Sequence, residues 1–577
     1  MQSNDQRNLF MAVIASLAIL VGYQYFYESP RLERERAAQR DAAMQELAKP
    51  STVPGAPADT SPAKPLDPQA ARASALQSAP RVKIDTPRLK GTIALAGARF
   101  DDLTLANHRE TIDPNSPAIT LLTPAGAAGT YFAELGWVAG AGQAVKLPDE
   151  NAVWRADRDT LTVERPVTLS WNNGQGLAFQ RTVKIDRDYM FTVIDRVENA
   201  GPAPVTLFSY GLLSRWNTPE TAGFYILHEG PLGVTDGRLH EHKYTSLQED
   251  KLVRSPSSQG GWVGISDKYW LVALVPKTER LEARFAYRKD GGTDKYQVDF
   301  VSTEGRAIEP GASAEATNLI FAGAKQVRLL TAYSERENIP LFDRAIVFRW
   351  LYFVAEPLFL GLHYLYDLFG NFGLAILILT VGVKLLFFPL ANKSYRSMSK
   401  MKLLQPEMLK IRERCKDDKQ RQHQEMMALY KREKVNPAAG CLPVLVQIPV
   451  FFCLYEVLYV TIEMRHAPFF GWIKDLSAPD PTTLFNLFGL IPWTPPVILM
   501  IGAWPLIMGV TMFLQQKMSP QPPDPIQARI FLVLPLVFTV MLASFPSGLV
   551  IYWAWNNVLS IAQQWVIMRR LATAKKS

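Results

Sequence analysis

Lys384 is the one charge in an otherwise apolar stretch, Asn371–Leu390. A lysine near the centre of a membrane-spanning helix costs about 2.5–3.5 kcal/mol on insertion scales, so it rarely survives facing lipid. One reading is that it snorkels: Leu390 is only about 9 Å further along a helix, within reach of the long side chain. The other is a cation facing a water-filled cavity. The stretch Gly548–Ile567 supplies an opposite wall, because Asn556, Ser560 and Gln563 recur at i, i+4 and i+7 on one helical face. Asn557 and Gln564 widen that stripe, and Tyr552 and Trp553 extend it. Gln447 lies about 9 Å inside Cys441–Thr461, a depth like that of Lys384. Polar groups of this kind can also simply glue helix to helix. A stripe of this length opposite a lysine favours a hydrated groove. Glu456 lies about 13 Å further along the axis than Lys384, too far for a direct ion pair, and is expected near an interface.

Bond-making chemistry is not visible. There is no phosphate-binding glycine loop, nucleophile elbow or metal cluster, so no catalytic residue, metal or cofactor is assigned and the chain is expected not to be an enzyme. His240 and His242 flank Glu241 and read as a solvated loop pair of the β-rich region. The three cysteines, Cys415, Cys441 and Cys453, form no C-x-x-C pair, and none lies between 28 and 345. Neither a disulfide framework nor a zinc site is expected.

The elements that would position these residues divide the 577-residue chain unevenly. After a short N-terminus (1–8), Leu9–Tyr27 has no charge and is long enough to span a bilayer of roughly 30 Å. It is followed by an aromatic cluster rather than a small-x-small cleavage site, which predicts an uncleaved anchor. Residues 28–80 read as a short charged helix and then a linker, with seven prolines between Lys49 and Pro80. From Arg81 to about 342, short β-rich runs such as Thr160-Leu-Thr-Val-Glu, Gln180–Ile185, Phe191–Val197 and Trp270–Val275 predict a large all-β sandwich. Asn172-Asn-Gly and Asp290-Gly-Gly mark turns in it. Residues 343–370 are apolar but carry Arg344, Arg349, Glu356, Pro357, His363 and Asp367, which suits an interfacial amphipathic helix better than a span. Five spans are then expected at about 371–390, 441–461, 497–515, 530–544 and 548–567.

Charge sets the expected topology. Thirteen lysines and arginines face six acids between Asn392 and Val435, a net +7 against +8 for the whole chain. This basic loop lies between apolar stretches, so it is read as cytoplasmic by the positive-inside rule and not as a nucleic-acid surface. The basic tail, with Arg569, Arg570, Lys575 and Lys576, should share that side. Six spans then place both termini inside and the β region outside, in the periplasm of a Gram-negative cell. Residues 392–435 read as two helices around Lys416-Asp-Asp418, a charged hairpin. Met398, Met401, Met408, Met426 and Met427 could form its adaptable surface for apolar partners, or could pack one arm on the other.

Several motifs carry a resemblance. The hairpin ends in Glu425-Met-Met-Ala-Leu-Tyr430 and Lys434-Val-Asn-Pro437, then runs into Gly440-Cys-Leu-Pro443 and Gln447-Ile-Pro-Val-Phe451. Gly509-Val-Thr-Met-Phe513, Lys517-Met-Ser-Pro520 and Phe545-Pro-Ser-Gly-Leu549 follow. In combination, and across the whole architecture, they resemble the YidC membrane-protein insertases of Gram-negative bacteria. The resemblance implies an α+β multidomain membrane protein. Its parts would be a periplasmic all-β supersandwich akin to sugar-mutarotase folds, a six-span helical bundle and a cytoplasmic helical hairpin. It implies a groove open to cytosol and lipid but closed to the periplasm, and it adds Gln516, with Trp553, to the groove lining. An arginine usually occupies the position that Lys384 matches, so this chain keeps the charge and loses the bidentate fork. The short basic tail lacks the long ribosome-binding extension of organelle relatives.

The expected partners are nascent membrane proteins, the lipid bilayer and the Sec translocon, with the ribosome a further candidate and nucleic acid not read directly. Two other readings stay open. A secondary transporter for a small anion would use Lys384 as its binding charge, although no internal repeat is present. A glycan-binding sensor would use the β region and keep the helices as an anchor.

Overall fold

The computed structural model describes residues 68–577 except 78, 223–226, 278–279, 347–351, 416–417, 434, 436–441, 494, 497–498, 520–524 and 575–577. The expected anchor (9–27), the charged helix and the linker up to residue 67 lie outside these residues. The chain divides into two compact units at residue 347/348.

The first unit is all β at its centre. Alternation is the reason: along Leu177–Ile185 the residues Leu177, Phe179, Arg181, Val183 and Ile185 turn inward and their neighbours turn out. A twelve-stranded sheet is built on the path 252–254, 280–290, 293–302, 205–216, 131–139, 99–109, 89–94, 81–85, 160–161. A nine-stranded sheet runs 238–241, 230–235, 261–266, 270–276, 313–324, 190–199, 177–185, 167–172, 155–156. Their inner faces meet, as Phe100 and Phe191 do edge to face at 5.3 Å. Both expected turns close hairpins. At Asp290↔Thr293 the two central glycines have φ of +54° and +86°, the two-residue geometry that glycine permits without strain.

Three expectations are corrected here. The linker contains a helix, Pro68–Gln77, whose Arg72 pairs with Asp102 and donates to Thr120 Oγ1 at 3.2 Å. The Thr160 run contributes only Thr160–Leu161, which pair in parallel with Lys83 and Ile84. His240 lies on the strand Arg238–Glu241, and the His242 ring packs tilted against Phe285 at 4.5 Å, so the pair is not a solvated loop.

The second unit is helical: Tyr352–Phe369, Phe372–Leu386, Phe388–Leu403, Gln405–Arg414, Lys419–Arg432, Leu442–Val460, Ala503–Met518, Pro525–Leu542 and Ser547–Ala574. Among the described residues no single helix is long and apolar enough to cross a membrane, but the pair Phe372–Leu386 and Phe388–Leu403, bent by 70°, passes that test together. The apolar stretch Asn371–Leu390 is therefore not one straight rod. The helix ends at Phe387 because Pro389, at the start of the next helix, cannot donate its backbone nitrogen. The helix within 497–515 begins only at Ala503, and the last helix continues past 567 to Ala574. Residues 392–435 hold three helices rather than two, with Pro406 opening the second. Within 343–370, a short turn Phe342–Ala345 ends the first unit and the helix Tyr352–Phe369 packs on Phe372–Leu386.

Candidate functional site

Lys384 sits in the last turn of Phe372–Leu386, beside the helix Ser547–Ala574. The two are joined by Trp555, whose indole Nε1 donates to the Leu377 carbonyl at 3.2 Å. A carbonyl already inside a helix accepts this second bond, which fixes the rotation of one helix against the other. That rotation aims Lys384 at the Asn556–Ser560 face.

Lys384 Nζ donates to Ser560 Oγ at 2.7 Å. Ser560 Oγ itself donates to the Asn556 carbonyl at 2.8 Å, the i−4 back-bond common for serine in helices. Its lone pairs are thereby presented to the ammonium. Among the described residues no carboxylate lies within 4.0 Å of Lys384, so the charge is held by a neutral hydroxyl alone.

Two cavities meet at this lysine. A small void of about 40 Å³ is lined by Lys384, Gln447, Tyr552 and Asn556, together with Thr380 and Tyr395. A larger one of about 560 Å³ is lined by Lys384, Asn392, Arg396 and Gln563, with Leu559 and Val566 among its apolar walls. Gln563 Nε2 is buried without a hydrogen-bond partner among the described residues. Lys384, Gln447, Tyr552, Asn556, Ser560 and Gln563 are thus brought together around one cation.

Gln516 and Trp553 are not in that set. Gln516 hydrogen-bonds the Phe531 carbonyl, between the helices Ala503–Met518 and Pro525–Leu542. Trp553 packs against Phe451 at 4.7 Å and Phe538 at 5.4 Å. Asn557 donates to Thr511 Oγ1 at 3.3 Å and Gln564 to the Met518 carbonyl at 3.1 Å, so both join helices rather than widen the polar stripe. Glu456 is buried, not at an exposed interface position. Sequence reasoning missed Tyr395, Asn392 and Arg396, which line these cavities from beyond the bend at Phe387.

The methionines divide. Met398 packs with Tyr395 and Ile567, and Met408 lies 3.9 Å from the Tyr430 hydroxyl, so both serve packing. Met401 and Met426 are half-buried, and Met427 is exposed. No group of His, Cys, Asp and Glu suited to a metal occurs among the described residues.

Two family models match the chain. The model described as the YidC periplasmic domain matches residues 81–360, and that of the 60Kd inner membrane protein matches 364–575. A protein of Methylobacterium sp. named membrane protein insertase YidC is 51% identical over 98% of this chain and 96% of its own length. One of the same name from Mesorhizobium japonicum is 52% identical, again over 98% and 96%. Among solved structures, an active YidC insertase with its first transmembrane domain resolved matches 84% of this chain and 92% of its own. Its identity is 17% and its TM-score 0.35, too slight a likeness to carry weight.

Proposed function

The chain belongs to the YidC family of membrane protein insertases, inner-membrane proteins with a periplasmic domain, and from that premise we propose how its own residues carry out insertion. The helices of residues 371–577, with the N-terminal stretch 9–27, cross the membrane six times, both termini facing the cytoplasm. The cytoplasmic hairpin, through exposed Met427 and its half-buried neighbours, receives an apolar segment of a nascent membrane protein. The polar flank of that segment enters the cavities around Lys384.

The observation that carries this reading is a lysine with a hydroxyl as its only described partner, opening on about 560 Å³ of space. A buried cation without a counter-ion attracts an acidic residue more strongly than an exposed one, since water screens it less. Asn556, Gln563, Gln447 and Tyr552 supply hydrogen bonds in place of water, which lowers the cost of taking a polar flank part-way across. The apolar segment then leaves sideways into lipid, its burial yielding about 25 cal/mol per Å². No bond is made or broken, so no catalytic residue or cofactor is required. The Sec translocon is a partner in this reading, and the ribosome a further candidate.

The test is protease protection of a one- or two-span substrate synthesised beside liposomes that contain the wild-type chain, Lys384→Arg or Lys384→Glu. Protection by wild type and Arg but not by Glu is expected. Equal protection by all three would remove Lys384 from the mechanism. Protection no better than in empty liposomes, with folded protein present, would remove the autonomous insertase.

A further inference from the structure

From Pro481 to Gln516 the chain contains no Asp, Glu, Lys or Arg. Ahead of the helix Ala503–Met518, residues 484–493 lie in a non-α segment whose large apolar side chains are exposed. Leu490 is 83% exposed, and Leu484, Phe485, Leu487, Phe488 and Trp493 are exposed beside it. A loop of this composition in water would be a liability.

Its backbone is arranged for a different solvent. Phe488 N donates to the Thr483 carbonyl at 2.8 Å, Ile491 N to Asn486 O at 3.0 Å and Trp493 N to Ile491 O at 2.8 Å. The Leu484 and Ile501 backbones are joined at 3.0 Å, and Thr483 Oγ1 donates to the Leu499 carbonyl at 2.9 Å, which pins the two ends together. Internal pairing of this kind is what hydrocarbon demands of a backbone and what water does not. Leu487 and Phe488 stand at φ of +50° and +58°, left-handed conformations that residues with a Cβ rarely adopt, and both side chains are exposed.

The loop is also held rigidly. Asp480 Oδ2 accepts from Trp504 N at 2.9 Å and Thr482 Oγ1 from Ala503 N at 3.0 Å, so the base of the loop caps the helix Ala503–Met518. That helix exposes Ile507, Val510 and Leu514 at i, i+3 and i+7, an apolar stripe with no charge between it and the loop. One solvent therefore covers both surfaces.

We propose that residues 484–493 are a lipid-seated anchor, buried at the headgroup–acyl boundary of the leaflet where the helix Ala503–Met518 begins. The loop fixes the depth of that end of the bundle through Asp480 and Thr482. This rests on the reading that Ala503–Met518 and Pro525–Leu542 cross the membrane, and the experiment separates the two claims.

The full chain, with its three cysteines replaced by alanine, carries one new cysteine at Leu490→Cys, Leu487→Cys or Leu536→Cys, labelled with an environment-sensitive fluorophore. Leu536 is 67% exposed on Pro525–Leu542 and reports the span. In phosphatidylcholine–phosphatidylglycerol vesicles, 5-doxyl lipid should quench both loop labels at least twofold while aqueous iodide barely touches them. The Leu536 label should respond to 12-doxyl lipid. Iodide quenching at Leu490 and Leu487, with Leu536 still quenched by lipid, would overturn the anchor and leave the span standing. Loop labels shielded from both quenchers would mean that protein covers the loop, which also overturns it. A Leu536 label quenched by iodide would overturn the spanning reading itself.

Discussion

Ser560 Oγ stands 2.7 Å from Lys384 Nζ and is that ammonium's one hydrogen-bond partner among the described residues. The contact stabilises the resting protein, and a substrate carboxylate must compete with it. Stability and activity should therefore separate. A hydrogen bond to a charged group contributes about 1.5–3 kcal/mol, so Ser560→Ala should lower the melting temperature of the detergent-solubilised chain by roughly 3–6 °C. Insertion should stay within about threefold of wild type, since the cation remains. Lys384→Ala should do the reverse: little change in melting, and an insertion rate down about tenfold, the equivalent of about 1.4 kcal/mol. A tenfold loss in Ser560→Ala with unchanged melting would contradict this division.

The β unit should be weakened by acid through His242. Burial against Phe285 is the largest cause holding this imidazole down, to a pKa of about 4. The unfolded chain takes up a proton near pH 6.5 and the folded one does not until about pH 4, so stability is full above pH 6.5 and is lost as the pH falls between these values. With residual solvent access the loss is about 2 kcal/mol. Urea midpoints of wild type and His242→Gln at pH 7.5 and pH 4.5 give the comparison. The wild-type midpoint should drop more, and equal drops would mean that other groups carry the acid response.

Arg181 and Asp195 face one another across neighbouring strands, with Nε to Oδ1 at 2.6 Å and Nη2 to Oδ2 at 3.2 Å. The guanidinium also donates to Ala98 O at 3.2 Å and Leu135 O at 2.6 Å on the opposite sheet, so one side chain ties the two layers. Asp195→Ala leaves a buried charge unpaired, at a cost of about 3–5 kcal/mol. The double variant Arg181→Met with Asp195→Leu should recover much of that loss. Protease resistance of the β unit under increasing urea would rank the three proteins, and a double variant as weak as the single one would sink the prediction.

What the sequence made legible was local. Alternation in Leu177–Ile185 and glycines at 291 and 292 announced strands and a hairpin, because each is settled by neighbours two residues apart. The order of strands was not legible, since the partners of 205–216 are 131–139 and 293–302, paired by burial across the whole domain. At the site, the i, i+4 step placed Asn556 and Ser560 on one face beside Lys384. Asn557 and Gln564 each follow a face residue by one position, a rotation of about 100°, which turns them to Thr511 and Met518 instead. The break at Phe387 had a signal in Pro389, whose nitrogen cannot donate to the preceding turn. The start of the helix at Ala503 had none nearby, because its caps come from Asp480 and Thr482.

Gly509 lies where the helices Ala503–Met518 and Pro525–Leu542 approach one another closely. A Cβ there would lie 2.1 Å from Thr539 Oγ1, and that hydroxyl cannot swing away freely because it donates to the Pro535 carbonyl at 2.8 Å. Small residues at such crossings let helices pack by van der Waals contact, the main source of cohesion between helices in lipid. Gly509→Ala must push Ala503–Met518 off Pro525–Leu542 or break the Thr539 bond, at a cost of about 1–3 kcal/mol. Thr539→Ala alone opens a small void and should cost less, about 1 kcal/mol. Combined, the two changes add one heavy atom at 509 and remove two, the clashing hydroxyl among them, at 539, so the double variant should be more stable than Gly509→Ala by itself. Thermal unfolding in detergent reads all three. If the double variant loses the sum of the two single losses, the clash at Thr539 is not what makes Gly509 necessary, and the closeness of the helices must depend on contacts elsewhere along the pair.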